Sequence, residues 1–465
     1  MTPASWSMAA SKLHFLGIAG STMAGIAAAM VKRGYSVTGT DPGAYPPTTD
    51  WLDAQGITWW RQPDATHLDG VDTVVMSGGT PLDDVELVAA QERGLPVKSY
   101  AEFVGELVAD KHQIVVAGTH GKTTTTALIA WLLEAAGRRP DFLVGIQPHN
   151  FDTSVRLGDS AVVVLEGDEY KASSIDERSK FSYYRPATLV LTALEMDHPD
   201  LFKDIGEIRR RFRELVGALP ANGWLLAADD APELKTVAEA APCPAESYGE
   251  AGDWQATGLR FEPTGLAFDV QHVGQPVGHF AVPLYGRHNV MNATAAIAAA
   301  LGEGLTATEI QTGLRGFLGA ARRFAIVSAP HAKVTVVDDY AHHPTEIATT
   351  IEAAKLHFGG RVIAVVRPHT YSRVQELLPQ FRTAVATADL AFITDIEAAR
   401  EKPAAATVSA EDISRDQGDQ VVFEPDRAQL IQRVVAAAQS GDVVLSMTVS
   451  GYDGLAAELA QKLAN

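Results

Sequence analysis

Gln113-Ile-Val-Val-Ala117-Gly-Thr-His-Gly-Lys122-Thr-Thr124, followed by the helix-forming run Thr125–Ala136, reads as a strand, a glycine turn and a helix in that order. An apolar run that stops at a glycine is the pattern of a strand buried on both faces. Gly118 and Gly121 let the backbone curl so that its amides face an anion, and the start of the following helix adds favourable partial charge. Lys122 can then reach the β- and γ-phosphates of a nucleotide, and the Thr123 hydroxyl can meet a divalent cation. The pattern departs from the general phosphate loop at one position, because Val116 stands where its first glycine would be. A glycine turn with an exposed lysine is the competing reading, and the strand–loop–helix order argues against it.

The same alternation extends in both directions. Leu13–Ile18, Ser36–Thr40 and Thr73–Ser77 precede the loop as strand-like runs, and Ala161–Leu165 and Thr188–Leu191 follow it. Val334–Asp338, Val362–Val366, Leu390–Thr394 and Val443–Met447 form a third set. Strands alternating with helices imply parallel sheets covered by helices. The expected fold is therefore α/β with three domains, at about residues 11–107, 108–315 and 316–465, Rossmann-like, phosphate-loop ATPase-like and Rossmann-like in turn. Polar groups just past the strands, Asp338-Asp339 and Pro368-His369, stand where open α/β sheets bind ligands. The turn Gly17-Ile-Ala-Gly20 lacks the full G-x-G-x-x-G pattern, so nucleotide binding and tight packing explain its glycines equally well.

Composition bounds the rest. A chain of 465 residues is too long for one ordinary core, and 46% hydrophobic with 20% charged residues is the balance of a globular protein. The net charge of −19 argues against nucleic acid or an acidic membrane as a partner. The single cysteine, Cys243, reads as a buried, inert thiol in a reducing cytoplasm. Leu13–Val31 carries no charge, but Gly17, Gly20, Ser21, Thr22 and Gly25 interrupt it, which favours strand, turn and helix over a membrane span. The first ten residues read as a tail, and no internal repeat is visible.

Ala117–Thr124 resembles the ATP loop of the Mur ligases, whose cousins include folylpolyglutamate and cyanophycin synthetases. Further matches follow in that family's order: Glu166-Gly-Asp-Glu169, Glu195-Met-Asp-His198 and Gly286-Arg-His-Asn289-Val-Met-Asn292-Ala. The resemblance covers essentially the whole chain. It implies an ATP-dependent amide ligase of peptidoglycan synthesis working in the cytoplasm, with Lys122, Glu166 and His198 as catalytic groups. Thr123, Glu166 and His198 would hold Mg²⁺ or Mn²⁺ in a two-metal arrangement, His198 completing a second metal site or positioning the substrate carboxylate. ATP would lie on Gly118, Thr119, His120, Gly121, Lys122, Thr123 and Thr124. Its adenine would meet His288, Asn289 and Asn292, and Arg323, Asp338 and Asp339 would close over it. A helix starting near Gly286 puts Asn289 and Asn292 on one face, although Asn289 could serve instead as a helix cap. The UDP-linked substrate is expected at Gly17, Ala19, Gly20, Asp41, Ser77, Gly78 and Gly79. The segment Asp204–Leu215 holds arginines and no lysine, so the modified lysine of some family branches is not expected.

The resemblance divides on the amine. Asp338-Asp-Tyr-Ala-His342-His343-Pro-Thr-Glu-Ile, Arg367-Pro-His369-Thr-Tyr-Ser-Arg373 and Ala398-Ala-Arg-Glu-Lys-Pro403 resemble the branch that joins L-alanine to UDP-N-acetylmuramate. Asp41-Pro-Gly-Ala-Tyr-Pro-Pro47, Asn150–Leu157 and Asp168-Glu-Tyr170 followed by Asp176–Phe181 resemble the recycling branch, which joins the stem tripeptide to the same nucleotide. Lys171 and Thr370 depart from the respective patterns. Since the third domain of this family largely reads the amine, L-alanine is the expectation and the tripeptide the alternative. His342 and Arg373 would meet the amine substrate. A nicotinamide dehydrogenase would explain the first block but not Lys122, Glu166 or His198, and a non-enzymatic scaffold would not need a complete metal site.

Overall fold

The computed structural model describes residues 11–464 except 47, 200, 263, 400, 402–406, 451 and 453. Pro47 of the first quoted recycling-branch segment, Arg400, Lys402 and Pro403 of Ala398–Pro403, and the ten-residue N-terminal tail lie outside the described residues. Three sheets carry the fold.

The first is all parallel: β1 (Lys12–Leu16), β2 (Ser36–Thr40), β3 (Thr58–Trp60), β4 (Thr73–Met76) and β5 (Val97–Ser99), in the order β3-β2-β1-β4-β5. The order reverses between β1 and β4, which opens a crevice past their carboxyl ends. The expected strand Leu13–Ile18 stops at Leu16 because Gly17 takes φ +77° and donates its N–H to Thr40 O at 2.7 Å. The helix Ser21–Lys32 buries Met23 through Met30 against this sheet and against the next domain. Gly25 is small for a packing reason: a Cβ there would sit 2.7 Å from Val155 Cγ2. Among the described residues no helix is long and apolar enough to cross a membrane.

The second sheet is built on β6 (His112–Ala117), whose Ile114 to Ala117 are fully buried. It continues with β7 (Asp141–Leu143), β8 (Val155–Arg156) and β9 (Val162–Gly167), while β10 (Lys171–Ser173) and β11 (Asp176–Ser179) form a separate antiparallel hairpin. Then come β12 (Thr188–Leu191), β13 (Trp224–Ala228), β14 (Ala245–Tyr248), β15 (Trp254–Glu262), β16 (Gly265–His272) and β17 (Gln275–Val282). The order is β17-β16-β15-β14-β13-β12-β6-β9-β7-β8, parallel from β15 through β7 and antiparallel at both ends. Cys243, expected to be buried, is only partly so.

In the third sheet β18 (Ala325–Ile326), β19 (Thr335–Asp339), β20 (Val362–Val366), β21 (Leu390–Ile393), β22 (Val421–Phe423) and β23 (Val443–Met447) run in the order β18-β19-β23-β20-β21-β22. All pairs are parallel except β18 with β19. Alternate residues feed two cores: Val337, Val362, Ala364, Val366 and Leu445 on one face, Val336, Ile363, Val365 and Val444 on the other.

Candidate active site

The loop after β6 is shaped by two glycines that no other residue could replace without strain. Gly118 has φ +150° and Gly121 φ +80°. A Cβ on Gly118 would approach Ala193 N to 2.8 Å, and one on Gly121 would approach Asn292 Oδ1 to 2.6 Å. The helix Lys122–Ala135 follows with no side chain capping its N-terminus, which leaves those amides directed at whatever the loop holds. Lys122 Nζ folds back onto Gly118 O at 2.5 Å and pairs with Glu169 Oε2 at 2.9 Å. Burial disfavours its charge, but Glu169, Asp168 and Glu166 outweigh it and raise the ammonium above its ordinary range.

Thr123 Oγ1 donates to Glu166 Oε1 at 2.7 Å, and Gly145 N donates to Glu166 Oε2 at 2.6 Å. Burial and the neighbouring Asp168 carboxylate push the Glu166 carboxyl up. His198 stands apart from that pair. Its Nε2 is 3.7 Å from Glu169 Oε1 and 3.6 Å from Asp197 Oδ2, and its ring centroid is 5.2 Å from that of Tyr170. Two groups result: Thr123 with Glu166, and His198 with Glu169 and Asp197, whose ligand atoms gather within 4.8 Å. Glu169 and Asp197 stand inside the motifs Glu166–Glu169 and Glu195–His198, but the motifs alone do not single them out. Only their position beside His198 distinguishes them. Glu169 Oε1 is buried without a hydrogen-bond partner.

A cavity of about 430 Å³ opens between the loop and the third domain. His120, Gly121, Thr124, His288, Asn289, Asn292, Arg323 and Asp339 line it, together with the apolar Leu194, Met291 and Phe324. Burial holds the His288 imidazole down to about 4, so it is neutral near pH 7. The helix Arg287–Gly302 starts at Gly286, and Asn289 is no cap: its Nδ2 donates to Tyr285 O at 2.8 Å, and its Oδ1 accepts from Asn292 Nδ2 at 2.9 Å. Both asparagines share one face, as the spacing implied. Arg323 reaches from the third domain to within 3.5 Å of Thr123 Oγ1. Asp339 accepts from the N–H groups of Phe324 and Ala341 at 2.6 and 2.7 Å, bracing that approach. Asp338 is not in the cavity lining; its carboxylate faces Arg322 Nε at 3.2 Å, because side chains alternate along β19.

The first domain's expected residues gather past β1, β2 and β4. Asp41 accepts from Ala19 N at 3.0 Å and Gly43 N at 2.9 Å, tying the turn after β2 to Gly17–Gly20. Ser77 Oγ meets Thr80 Oγ1 at 3.1 Å and is the atom that a Cβ on Gly17 would strike. At Gly78 a Cβ would lie 3.6 Å from Ala172 O, so the β10–β11 hairpin of the second domain overhangs this crevice, with exposed Gly79 next in the chain. In that hairpin's wake Lys180 is buried against Asp168 at 3.0 Å.

On the amine side, the expectation that Arg373 offers its fork to a carboxylate of substrate is corrected. Arg373 is 1% exposed, and its Nε and Nη2 already bind Asp197 Oδ1 at 3.0 and 2.7 Å while Nη1 donates to His369 O at 2.9 Å. Its guanidinium instead fastens the third domain to the segment that carries His198. His342 stands nearby, its ring centroid 5.5 Å from that of His369. Its Nδ1 donates to Tyr340 O at 3.0 Å, which leaves Nε2 as an acceptor, and burial lowers the imidazole to about 4.

The Mur ligase family, catalytic domain, matches residues 12–112, the Mur ligase middle domain residues 116–300, and the Mur ligase glutamate ligase domain residues 322–448. A UDP-N-acetylmuramate–L-alanine ligase of Pelotomaculum thermopropionicum is 35% identical over 97% of each chain. A UDP-N-acetylmuramate–L-alanyl-γ-D-glutamyl-meso-2,6-diaminoheptandioate ligase of Escherichia coli is 34% identical over 97% of this chain and 98% of its own. The crystal structure of the UDP-N-acetylmuramate–alanine ligase of Thermotoga maritima superposes with a TM-score of 0.81 at 22% identity, over 97% of this chain and 98% of that one, a likeness of fold. With all three domains matched in order and relatives this similar over nearly the full length, the chain belongs to the Mur ligase family of ATP-dependent ligases.

Proposed function

We propose that this chain joins the lactyl carboxylate of UDP-N-acetylmuramate to the amine of L-alanine through an acyl phosphate, at the expense of ATP. The observation that carries the reading is the cavity between the phosphate loop and the third domain, with Arg323 3.5 Å from Thr123, beside relatives of that name at 35% identity. Domain limits at 11–107, 108–315 and 316–465 follow for the UDP-substrate, ATP and closing domains. ATP and UDP-linked sugars are cytoplasmic metabolites, so we assign the reaction to the cytoplasm.

A carboxylate oxygen of the muramate attacks the γ-phosphorus and ADP leaves. The amine nitrogen then attacks the acyl phosphate, the carbon–oxygen bond to phosphate breaks, and the ammonium loses a proton as the amide forms. Lys122 stabilises charge on the transferred phosphoryl group, and Arg323 clamps it from the third domain. The first domain holds the uridine nucleotide past β1 and β4. Neutral His342, with Nε2 unprotonated, accepts a hydrogen from the amine. The hydroxyl of Thr123 and the carboxylate of Glu166 are hard oxygen donors suited to Mg²⁺ or Mn²⁺, and Glu169 Oε1 is a further oxygen without a partner. Such an ion supplies charge neutralisation at the β- and γ-phosphates.

A second amine, the stem tripeptide, has its own observation: the β10–β11 hairpin over Gly78, in the stretch Asp176–Phe181 that resembles the recycling branch. ADP release with both amines offered at equal concentration separates the two. L-alanine consumed in preference supports the first reading; preference for the tripeptide overturns it. No ADP release with either amine in the presence of UDP-N-acetylmuramate overturns both.

A further inference from the structure

A group of metal-ligating side chains distinct from Thr123 and Glu166 spans the seam between the second and third domains. His120 comes from the phosphate loop, Glu195 from the loop after β12, and His343 from the turn before the helix Pro344–Phe358; one ligand atom of each lies within 4.8 Å of the others. His120 Nε2 is 2.7 Å from Glu195 Oε1, and His343 Nδ1 is 3.9 Å from the same oxygen. The two imidazole centroids are 4.6 Å apart.

The opposite nitrogen of each ring sets this group apart from an ordinary ion pair. His120 Nδ1 lies 3.0 Å from Glu346 Oε1, and an ionised carboxylate only accepts, so that nitrogen carries hydrogen and Nε2 turns toward Glu195. His343 Nε2 lies 3.2 Å from Met196 O, and a carbonyl only accepts, so Nε2 carries hydrogen and Nδ1 keeps its lone pair. That lone pair now takes the Thr345 N–H at 3.3 Å, a long bond. A carboxylate behind one imidazole and a backbone carbonyl behind the other is how proteins orient histidines at metal centres. Two imidazoles and one carboxylate are a donor set of zinc sites that keep a fourth position open. Bonds of about 2.0–2.2 Å put tetrahedral donors roughly 3.3–3.5 Å apart. The observed 2.7 and 3.9 Å straddle that spacing, and all three ligand atoms lie within 4.8 Å of one another.

We propose that His120, Glu195 and His343 bind a borderline-soft dication of the Zn²⁺ class, which takes the place of a proton on His120 Nε2 and ties the phosphate loop to the third domain. His120 and Glu195 line the nucleotide-sized cavity, so an ion there sits at its wall and joins the two domains. Mg²⁺, which prefers all-oxygen surroundings, does not compete.

The test uses the full chain, stripped with chelator and titrated with Zn²⁺ in excess Mg²⁺ against a chromogenic chelator, with Co²⁺ absorption as a second probe. His343→Asn keeps a helix-capping acceptor for Thr345 N–H but removes the imidazole. Glu195→Gln removes the charged ligand without touching the cap, and circular dichroism checks both folds. One tight equivalent in the parent chain and in Glu166→Gln, weakened at least about tenfold in His343→Asn and Glu195→Gln, is the expected result. The proposal is overturned if the parent binds no Zn²⁺ in excess Mg²⁺, if both seam variants bind as the parent does, or if only Glu166→Gln loses the ion.

Discussion

Lys122 illustrates how much one side chain can carry. It is held charged at the loop by Gly118 O, Thr119 O and Glu169, and it exchanges one of these acceptors for a phosphate oxygen when nucleotide arrives. Lys122→Ala should lower kcat by about two to three orders of magnitude, the scale of a preorganised electrostatic donor, with the circular dichroism spectrum unchanged. Activity within a few-fold of the parent would contradict its role. Arg373 makes the opposite point. Its partner Asp197 is 176 residues away in sequence, and both are buried, so neither spacing nor motif could show that the guanidinium is spent on a carboxylate of its own chain. Removing one member of such a pair leaves a buried charge uncompensated, and Arg373→Met should cost roughly 3–5 kcal/mol in denaturant unfolding. Arg373→Met with Asp197→Asn together should recover part of that loss; a simple sum of the two single losses would mean that the pair is not coupled.

At the scale of elements, the parallel strands were legible because burial on both faces leaves an unbroken apolar run, as in Ile114–Ala117 and Val362–Val366. The meander β15–β17 was not. Its strands mix polar with apolar residues, and β15 and β17 are mostly half-buried or exposed, as in Trp254-Gln-Ala-Thr-Gly-Leu-Arg-Phe-Glu262, so no single periodicity stands out. The elements that close the cavity predict how stability follows pH. Burial pushes His288 and His342 down from 6.5 to about 4, so the folded chain refuses protons that the unfolded chain accepts. Their stabilisation is complete above about pH 6.5 and is lost as pH falls toward 4. For His120 burial works the other way from its partners, but Glu195 and Glu346 raise it to about 10, and its contribution is lost as pH rises from 6.5 toward that value. The thermal midpoint should therefore drop on either side of neutrality, and His342→Gln should flatten the acid limb between pH 6.5 and 4.5. An acid limb unchanged in that variant would remove His342 from the account.

For the whole molecule, three sheets present their carboxyl ends to shared crevices, and the chemistry depends on their meeting. The phosphate loop could be read from the sequence because strand, glycines and helix are local. The partners of His198, Glu169 and Asp197, could not, since they depend on how loops after β9 and β12 pack against each other and against Arg373. In the proposed reaction the muramate carboxylate is activated by phosphoryl transfer inside this assembled site. UDP-N-acetylmuramate labelled with ¹⁸O in its lactyl carboxylate tests that claim most directly, with the product phosphate examined by mass spectrometry after turnover with ATP and L-alanine. An acyl phosphate predicts transfer of one carboxylate oxygen, so each phosphate formed from fully labelled substrate carries one ¹⁸O. Unlabelled phosphate accompanying amide formation would contradict it.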